Sequence, residues 1–191
     1  MAESRTGLLD RLNRADVAIS SRVAISAEEK LARRTPRFWL AFTGAHLGDS
    51  WVWVLITAWL WRGSSKLAPE AGVLRKGEIR AWLGTLAAVY ALTLGIKQVV
   101  KRERPGTGTL MYAGGADVHS FPSGHATRMG AILAWFGVTF PSAAILGWPI
   151  TLWVSWSRVA MGVHYAGDVI VGLILGFFTG EIARRLTKNH K

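Results

Sequence analysis

Apolar residues in this chain gather into five long blocks, and each is closer in length to a bilayer crossing than to one face of a soluble helix. The first covers 38–61, near the ~20 residues that a hydrocarbon core requires. Trp39 stands at one end and Trp59 and Trp61 at the other, as interfacial anchors do. A second block covers about 80–101. Its uncharged centre, 81–96, is short, so Arg80 and Lys97 are expected to snorkel or to face protein. The stretch 129–156 is almost wholly apolar and too long for one untilted helix. Phe140-Pro141 divides it, because proline cannot continue the hydrogen-bond ladder and restricts the residue before it. This predicts a third span over about 123–139 and a fourth over about 142–158. The fifth covers about 165–183 and ends in Arg184, Arg185, Lys188 and Lys191. The pattern predicts an all-α integral membrane helical bundle of about five transmembrane helices.

Polar segments complete the organisation. In residues 1–36, Leu8, Leu12, Ala15, Ile19 and Val23 recur at three- and four-residue spacing, with Arg11, Arg14 and Arg22 between them. That reads as an amphipathic helix lying in the interface plane, or as a plain solvated helix. With no continuous apolar core and no cleavage site, the segment does not read as a secretory signal peptide. The chain thus reads as a single domain over 1–191, with 1–36 as the N-terminal amphipathic region and 37–186 as the transmembrane bundle. Hydrophilic loops are expected over 62–79 and over 102–121, the latter with Gly106, Gly108, Gly114 and Gly115.

Composition alters this picture in two ways. The formal net charge is +11, but the cations flank apolar runs, which favours anionic lipid headgroups over nucleic acid as partners. There is no Cys, which removes disulfides, thiolate metal sites and thiol chemistry. No internal repeat is apparent.

Charged residues then appear where membrane helices should lack them. His46 and Asp49 interrupt the first span, either as functional groups or as a local contact three residues apart. Three further blocks are richer. Lys97-Gln-Val-Val-Lys-Arg-Glu-Arg104-Pro105 places Lys97, Lys101 and Arg104 at i, i+4 and i+7, a cationic stripe at a helix end. Phe121-Pro122-Ser123-Gly124-His125 precedes an apolar run, so Ser123 and Gly124 leave backbone N–H groups free for an anion, and His125 can donate a proton. Ser157-Arg158 and His164-Tyr-Ala-Gly-Asp168 set a cation, an imidazole and a carboxylate at the junction of two spans. His164 and Asp168 are four apart, one helical turn, so the carboxylate can hold the Nδ1 proton and leave Nε2 free. Each block alone has an ordinary reading: a positive flank, an N-cap, a structural His–Asp pair. With five spans, all three fall on one side of the membrane. Only one of the two imidazoles then has a carboxylate one turn away, a difference that would separate a nucleophile from a general acid.

Together the blocks resemble the signature of the type 2 phosphatidic acid phosphatase superfamily, the membrane lipid phosphate phosphatases. That pattern is Lys, six residues, Arg-Pro; then Pro-Ser-Gly-His; then Ser-Arg, five residues, His, three residues, Asp. It is matched at Lys97, Arg104, Pro105, Pro122, Ser123, Gly124, His125, Ser157, Arg158, His164 and Asp168 without a departure in type or spacing. The resemblance implies that His164 is the nucleophile, forming a phosphohistidine, with Asp168 orienting it. It implies that His125 protonates the leaving group and then activates water. Lys97, Arg104, Arg158, the Ser123 hydroxyl and the Gly124 N–H would bind the phosphoryl oxygens. Members of this kind are metal-independent, so no cofactor is expected.

The substrates this implies are lipid phosphates or pyrophosphates, among them undecaprenyl pyrophosphate, phosphatidylglycerol phosphate and phosphatidic acid. The expected location is the cell membrane, multi-pass, with the bilayer and the lipid as partners, no nucleic acid, and a homo-oligomer compatible with the sequence. A small soluble phosphate as substrate, or a non-catalytic lipid-binding or transport role for the same pocket, are the alternatives. A vanadium-dependent haloperoxidase has a similar site, but the apolar spans argue against one. Many family members resemble a six-span plan, of which this chain is expected to lack the first span. The N-terminus and the site should share a membrane side, and the Lys and Arg count is nearly balanced across the bilayer.

Overall fold

The computed structural model describes residues 2–63, 76–106 and 118–189, and the described residues form helices without a strand. In chain order these are α1 (Ala2–Val23), α2 (Ala27–Ala32), α3 (Pro36–Leu47), α4 (Ser50–Gly63), α5 (Lys76–Val100), α6 (Gly124–Thr139), a 3-10 turn (Pro141–Leu146), α7 (Gly147–Ala160) and α8 (Ala166–Asn189). Most of the loop expected over 62–79, much of the glycine-bearing loop over 102–121, and Lys191 lie outside the described residues. Two helices, Lys76–Val100 and Ala166–Lys188, are long and apolar enough to cross a membrane. At 16 and 14 residues, α6 and α7 are shorter than the ~20 that a full crossing takes.

The expected first span is two helices broken at Gly48 and Asp49. A break inside an apolar run leaves backbone groups that must find partners. Here they do. The N–H of Asp49 donates to the His46 carbonyl at 3.0 Å. Trp53 Nε1 donates to the Leu47 carbonyl at 3.0 Å, and the Arg128 guanidinium donates to the Gly48 carbonyl. Gly48 is needed for space, since a Cβ there would lie 2.6 Å from the His125 ring and from Val154. The fourth span is likewise shorter than expected. Pro141 opens a 3-10 turn, and α7 begins only at Gly147.

Close backbone packing between α6 and α8 sets the position of the site. Gly172, Gly176 and Gly180 recur every fourth residue and so share one face of α8. A Cβ on Gly176 would lie 1.8 Å from the Thr127 carbonyl oxygen, and one on Gly172 would lie 2.9 Å from that of Ser123. Only small residues permit such an approach, the usual device where lipid removes the hydrophobic drive between helices. It brings the first turns of α6 and α8 together, with the Ser123 N–H donating to the Asp168 carbonyl at 3.0 Å. Deeper in the bundle, buried Trp82 of α5 donates from Nε1 to Thr57 at 2.9 Å and meets Trp135 of α6 edge-on at 6.1 Å. That cluster ties α4, α5 and α6 together.

Helix α1 docks by its polar side. Leu8, Leu12 and Ile19 are 58%, 59% and 53% exposed, whereas Ser20 is buried. Asp16 Oδ1 accepts the Gly167 N–H at 2.8 Å and Ser20 Oγ accepts the Ala166 N–H at 2.9 Å. These are first-turn amides of α8, which lack partners within their own helix. Leu8, Leu12 and Ile19 are left facing outward, while Val23 at the end of the helix packs against the core.

Candidate active site

Basic, imidazole and carboxylate side chains from three distant stretches meet at the end of the bundle where α5 finishes and α6 and α8 begin. Lys97 is 1% exposed, Arg158 2%, His164 2%, and Ser123 and Asp168 0%. Burying such groups is costly unless they are paired or serve a ligand. Lys97 donates to the His119 carbonyl. Arg104 donates from Nε to the Val118 carbonyl at 3.2 Å and from Nη1 to the Val163 carbonyl at 3.1 Å. The Arg158 carbonyl organises the loop that carries the imidazole, accepting the N–H groups of Val163 at 3.2 Å and His164 at 3.3 Å. Gly162, with φ of 67°, allows the turn between them.

His164 lies in this loop, before α8, so the expected one-face helical spacing with Asp168 does not apply. Nδ1 stands 3.7 Å from Asp168 Oδ2, beyond hydrogen-bond reach, and makes no hydrogen bond among the described residues. The reason is that Asp168 is already engaged. Oδ2 accepts the Tyr165 N–H at 2.9 Å, half of a capping box at the start of α8. Oδ1 takes Arg102 Nη1 at 2.6 Å. Desolvation pushes the His164 ring down to about 4, and the charges of Arg158, Arg104 and Lys97 push the same way against Asp168. At neutral pH the ring is therefore uncharged, with Nε2 left for a ligand. Three cations converge on one neutral imidazole.

His125, in the first turn of α6, is close enough to Arg158 to feel the same guanidinium. Its Nε2 is 2.9 Å from Asp49 Oδ1. Ser123 is the N-cap of α6, its hydroxyl accepting the Ala126 N–H at 3.5 Å, and Gly124 is the first helical residue. Beside His164, a cavity of about 400 Å³ opens between α1 and the 105–106 turn, lined by Val17, Ser20, Ile25, Pro105 and Tyr165 among others. No group of three or more His, Cys, Asp or Glu among the described residues is arranged to hold a metal ion.

The structure brings Lys97, Arg104, Ser123, Gly124, His125, Arg158, His164 and Asp168 to one end of the bundle. It does not keep Lys101 with them. Because α5 ends at Val100, the seven-residue periodicity stops, and Lys101 turns outward with φ of 49°. Arg102 turns inward instead. It bridges Asp168 and Asp16, the latter at 2.8 Å, and stacks 4.1 Å from the Tyr165 ring. Sequence reading missed Arg102 and Asp16, whose only signal was their charge. Asp49 was singled out, but its contact with His125 joins residues 76 positions apart.

Residues 78–191 match the PAP2 superfamily, more than half of the chain. The chain belongs to the PAP2 superfamily, the type 2 phosphatidic acid phosphatases. This PAP2 chain is 31% identical over 180 residues to the decaprenylphosphoryl-5-phosphoribose phosphatase of Mycobacterium tuberculosis, spanning 92% of each. It is 31% identical over 145 residues to the lipid A 1-phosphatase of Rhizobium johnstonii, where the match spans 68% of this chain but only 59% of that protein's length. Among solved structures, the PAP2-type phosphatidylglycerolphosphate phosphatase of Bacillus subtilis superposes with a TM-score of 0.73 at 24% identity, covering 95% of this chain and 88% of that one. Aquifex aeolicus LpxE superposes with a TM-score of 0.61 at 20% identity, covering 80% and 88%. At these identities the two structures show a shared PAP2 fold.

Proposed function

We propose that this PAP2 chain is an integral, multi-pass membrane phosphatase of the cell membrane that hydrolyses lipid phosphates or diphosphates through a phosphohistidine on His164. The observation that carries the reading is buried His164 gathered with buried Lys97 and Arg158 and with Arg104, whose Nη1 donates to the carbonyl of the preceding residue Val163. Phosphoryl transfer asks a protein mainly for positioning and for neutralisation of charge spread over the equatorial oxygens. Fixed cations meet that need. His164 Nε2 attacks phosphorus while the bond to the leaving oxygen breaks, and His125 supplies that oxygen with a proton. Water then gives a proton to His125 as its oxygen displaces the imidazole, freeing phosphate. Asp168 stabilises the developing imidazolium, and its 3.7 Å separation from Nδ1 is expected to close when substrate binds.

The relatives support a phosphate carried on a lipid-linked sugar as one substrate class, since one acts on decaprenylphosphoryl-5-phosphoribose and the other on lipid A. Undecaprenyl pyrophosphate, phosphatidylglycerol phosphate and phosphatidic acid complete the set to be compared. The test is phosphate release from this panel by purified protein in detergent. Turnover is expected to fall to background in His164→Ala, and substantial turnover in that variant would remove His164 from the role assigned.

A further inference from the structure

The carboxylate on His125 comes from the break between α3 and α4, which precedes the region matched to the family. Asp49 Oδ1 lies 2.9 Å from His125 Nε2, and Asp49 Oδ2 lies 2.8 Å from His46 Nδ1. His46 is itself half-exposed and packs edge-on against Phe42 at 4.4 Å. The break is built around this contact. Gly48 leaves room for the His125 ring, and Arg128, one turn beyond His125 on α6, grips the Gly48 carbonyl. An acidic side chain inside an apolar run is expensive, and here both its oxygens are spent on imidazoles.

We propose that Asp49 is the positioning residue of His125, so that this site contains two His–carboxylate pairs, with His46 holding the outer oxygen of the second. The proposal rests on the phosphatase reading above and assigns a further part to it. With Nε2–H donated to Asp49, Nδ1 is the ring nitrogen left for chemistry. His125 enters the cycle as the imidazolium, and in the first step the electron pair of the breaking P–O bond goes to the leaving oxygen and the Nδ1 proton follows it. His125 is then neutral, Nε2–H still held by Asp49, with an open lone pair on Nδ1. In the second step water gives its proton to that lone pair, its oxygen bonds phosphorus, and the N–P pair returns to His164. Throughout, Asp49 fixes the tautomer and stabilises the imidazolium, as a buried carboxylate does for a catalytic base elsewhere. The groups facing His125 are Asp49 and, through it, His46 from the α3–α4 break, Arg128 from its own helix, and Arg158 from α7.

The experiment compares dodecyl phosphate, whose alkoxide must be protonated as it leaves, with 4-nitrophenyl phosphate, whose phenolate need not be. Asp49→Asn is expected to lower turnover of dodecyl phosphate about 100-fold, within the range for general acid catalysis, with a loss on the aryl ester at least about tenfold smaller in the single-turnover burst. His125→Ala should show the same leaving-group dependence, and His125→Ala/Asp49→Asn should be no worse than His125→Ala alone. His46→Gln should give a weaker form of the same bias and a displaced pH profile. Equal losses on both esters, or additive losses in the double variant, would overturn the proposal while leaving the phosphatase reading standing. A wild-type protein that releases phosphate from neither ester would overturn both.

Discussion

Burial of the His164 ring and the cations Arg158, Arg104 and Lys97 act in the same sense on its titration, and this has a consequence for stability. In the folded protein the ring titrates at about 4, against 6.5 when unperturbed. A depressed folded value means that the unfolded chain binds the proton first. The contribution of His164 to stability is therefore complete above pH 6.5 and is lost progressively as pH falls toward 4. The span corresponds to roughly 3 kcal/mol. His164→Gln, which cannot titrate, isolates the effect. Thermal unfolding in detergent should show the wild type losing stability relative to this variant between pH 6.5 and 4. Parallel curves for the two proteins would mean that the folded ring titrates near its ordinary value. Asp168 belongs to the same balance, because its pairing with Arg102 and the Tyr165 N–H leaves it near His164 without bonding it.

Among elements, the α6–α8 contact is the one on which the site depends, since it aligns the His125 turn with the Asp168 turn. Adding one methyl at Gly176 puts carbon 1.8 Å from the Thr127 carbonyl oxygen, and backbone rather than a flexible side chain must yield. Gly176→Ala is expected to cost about 1–3 kcal/mol, the usual range for overpacking, and to lower turnover by displacing α6. Gly95→Ala on α5 meets nothing within 4 Å and should raise the melting temperature slightly through helix propensity alone. Equal melting shifts for the two variants would refute the close contact. These elements were largely legible from the pattern of apolar residues. The runs that became α5, α6 and α8 are long and uninterrupted, and Phe140-Pro141 marks a true break. The division at Gly48 was not foreseen as two helices. An apolar run read alone does not show that Asp49 and Gly48 face another helix's imidazole.

At the scale of the whole molecule, spacing within each block carried the family, but contacts between blocks were not legible. Arg102 reaches Asp168 across 66 positions, and Asp16 reaches the Gly167 amide across 151. No periodicity records such distances. The same holds for α1, which docks through Asp16 and Ser20 on its polar side. That face ties α1 to the start of α8 and to Arg102. Asp16 caps α8, pairs with Arg102, and so shares a guanidinium with Asp168 of the candidate site. Losing a capping side chain costs about 0.5–2 kcal/mol, and Asp16→Ala also leaves the partly buried Arg102 with one carboxylate instead of two. The expected result is a loss of about 1–2 kcal/mol in detergent, together with faster proteolysis within Ala2–Val23 as the helix undocks. Ser20→Ala should add to the effect, because the Ala166 amide then loses its acceptor too. Undiminished protection of α1 in the double variant would show that its outward-facing leucines, rather than Asp16 and Ser20, hold it in place, and would uncouple α1 from the candidate site.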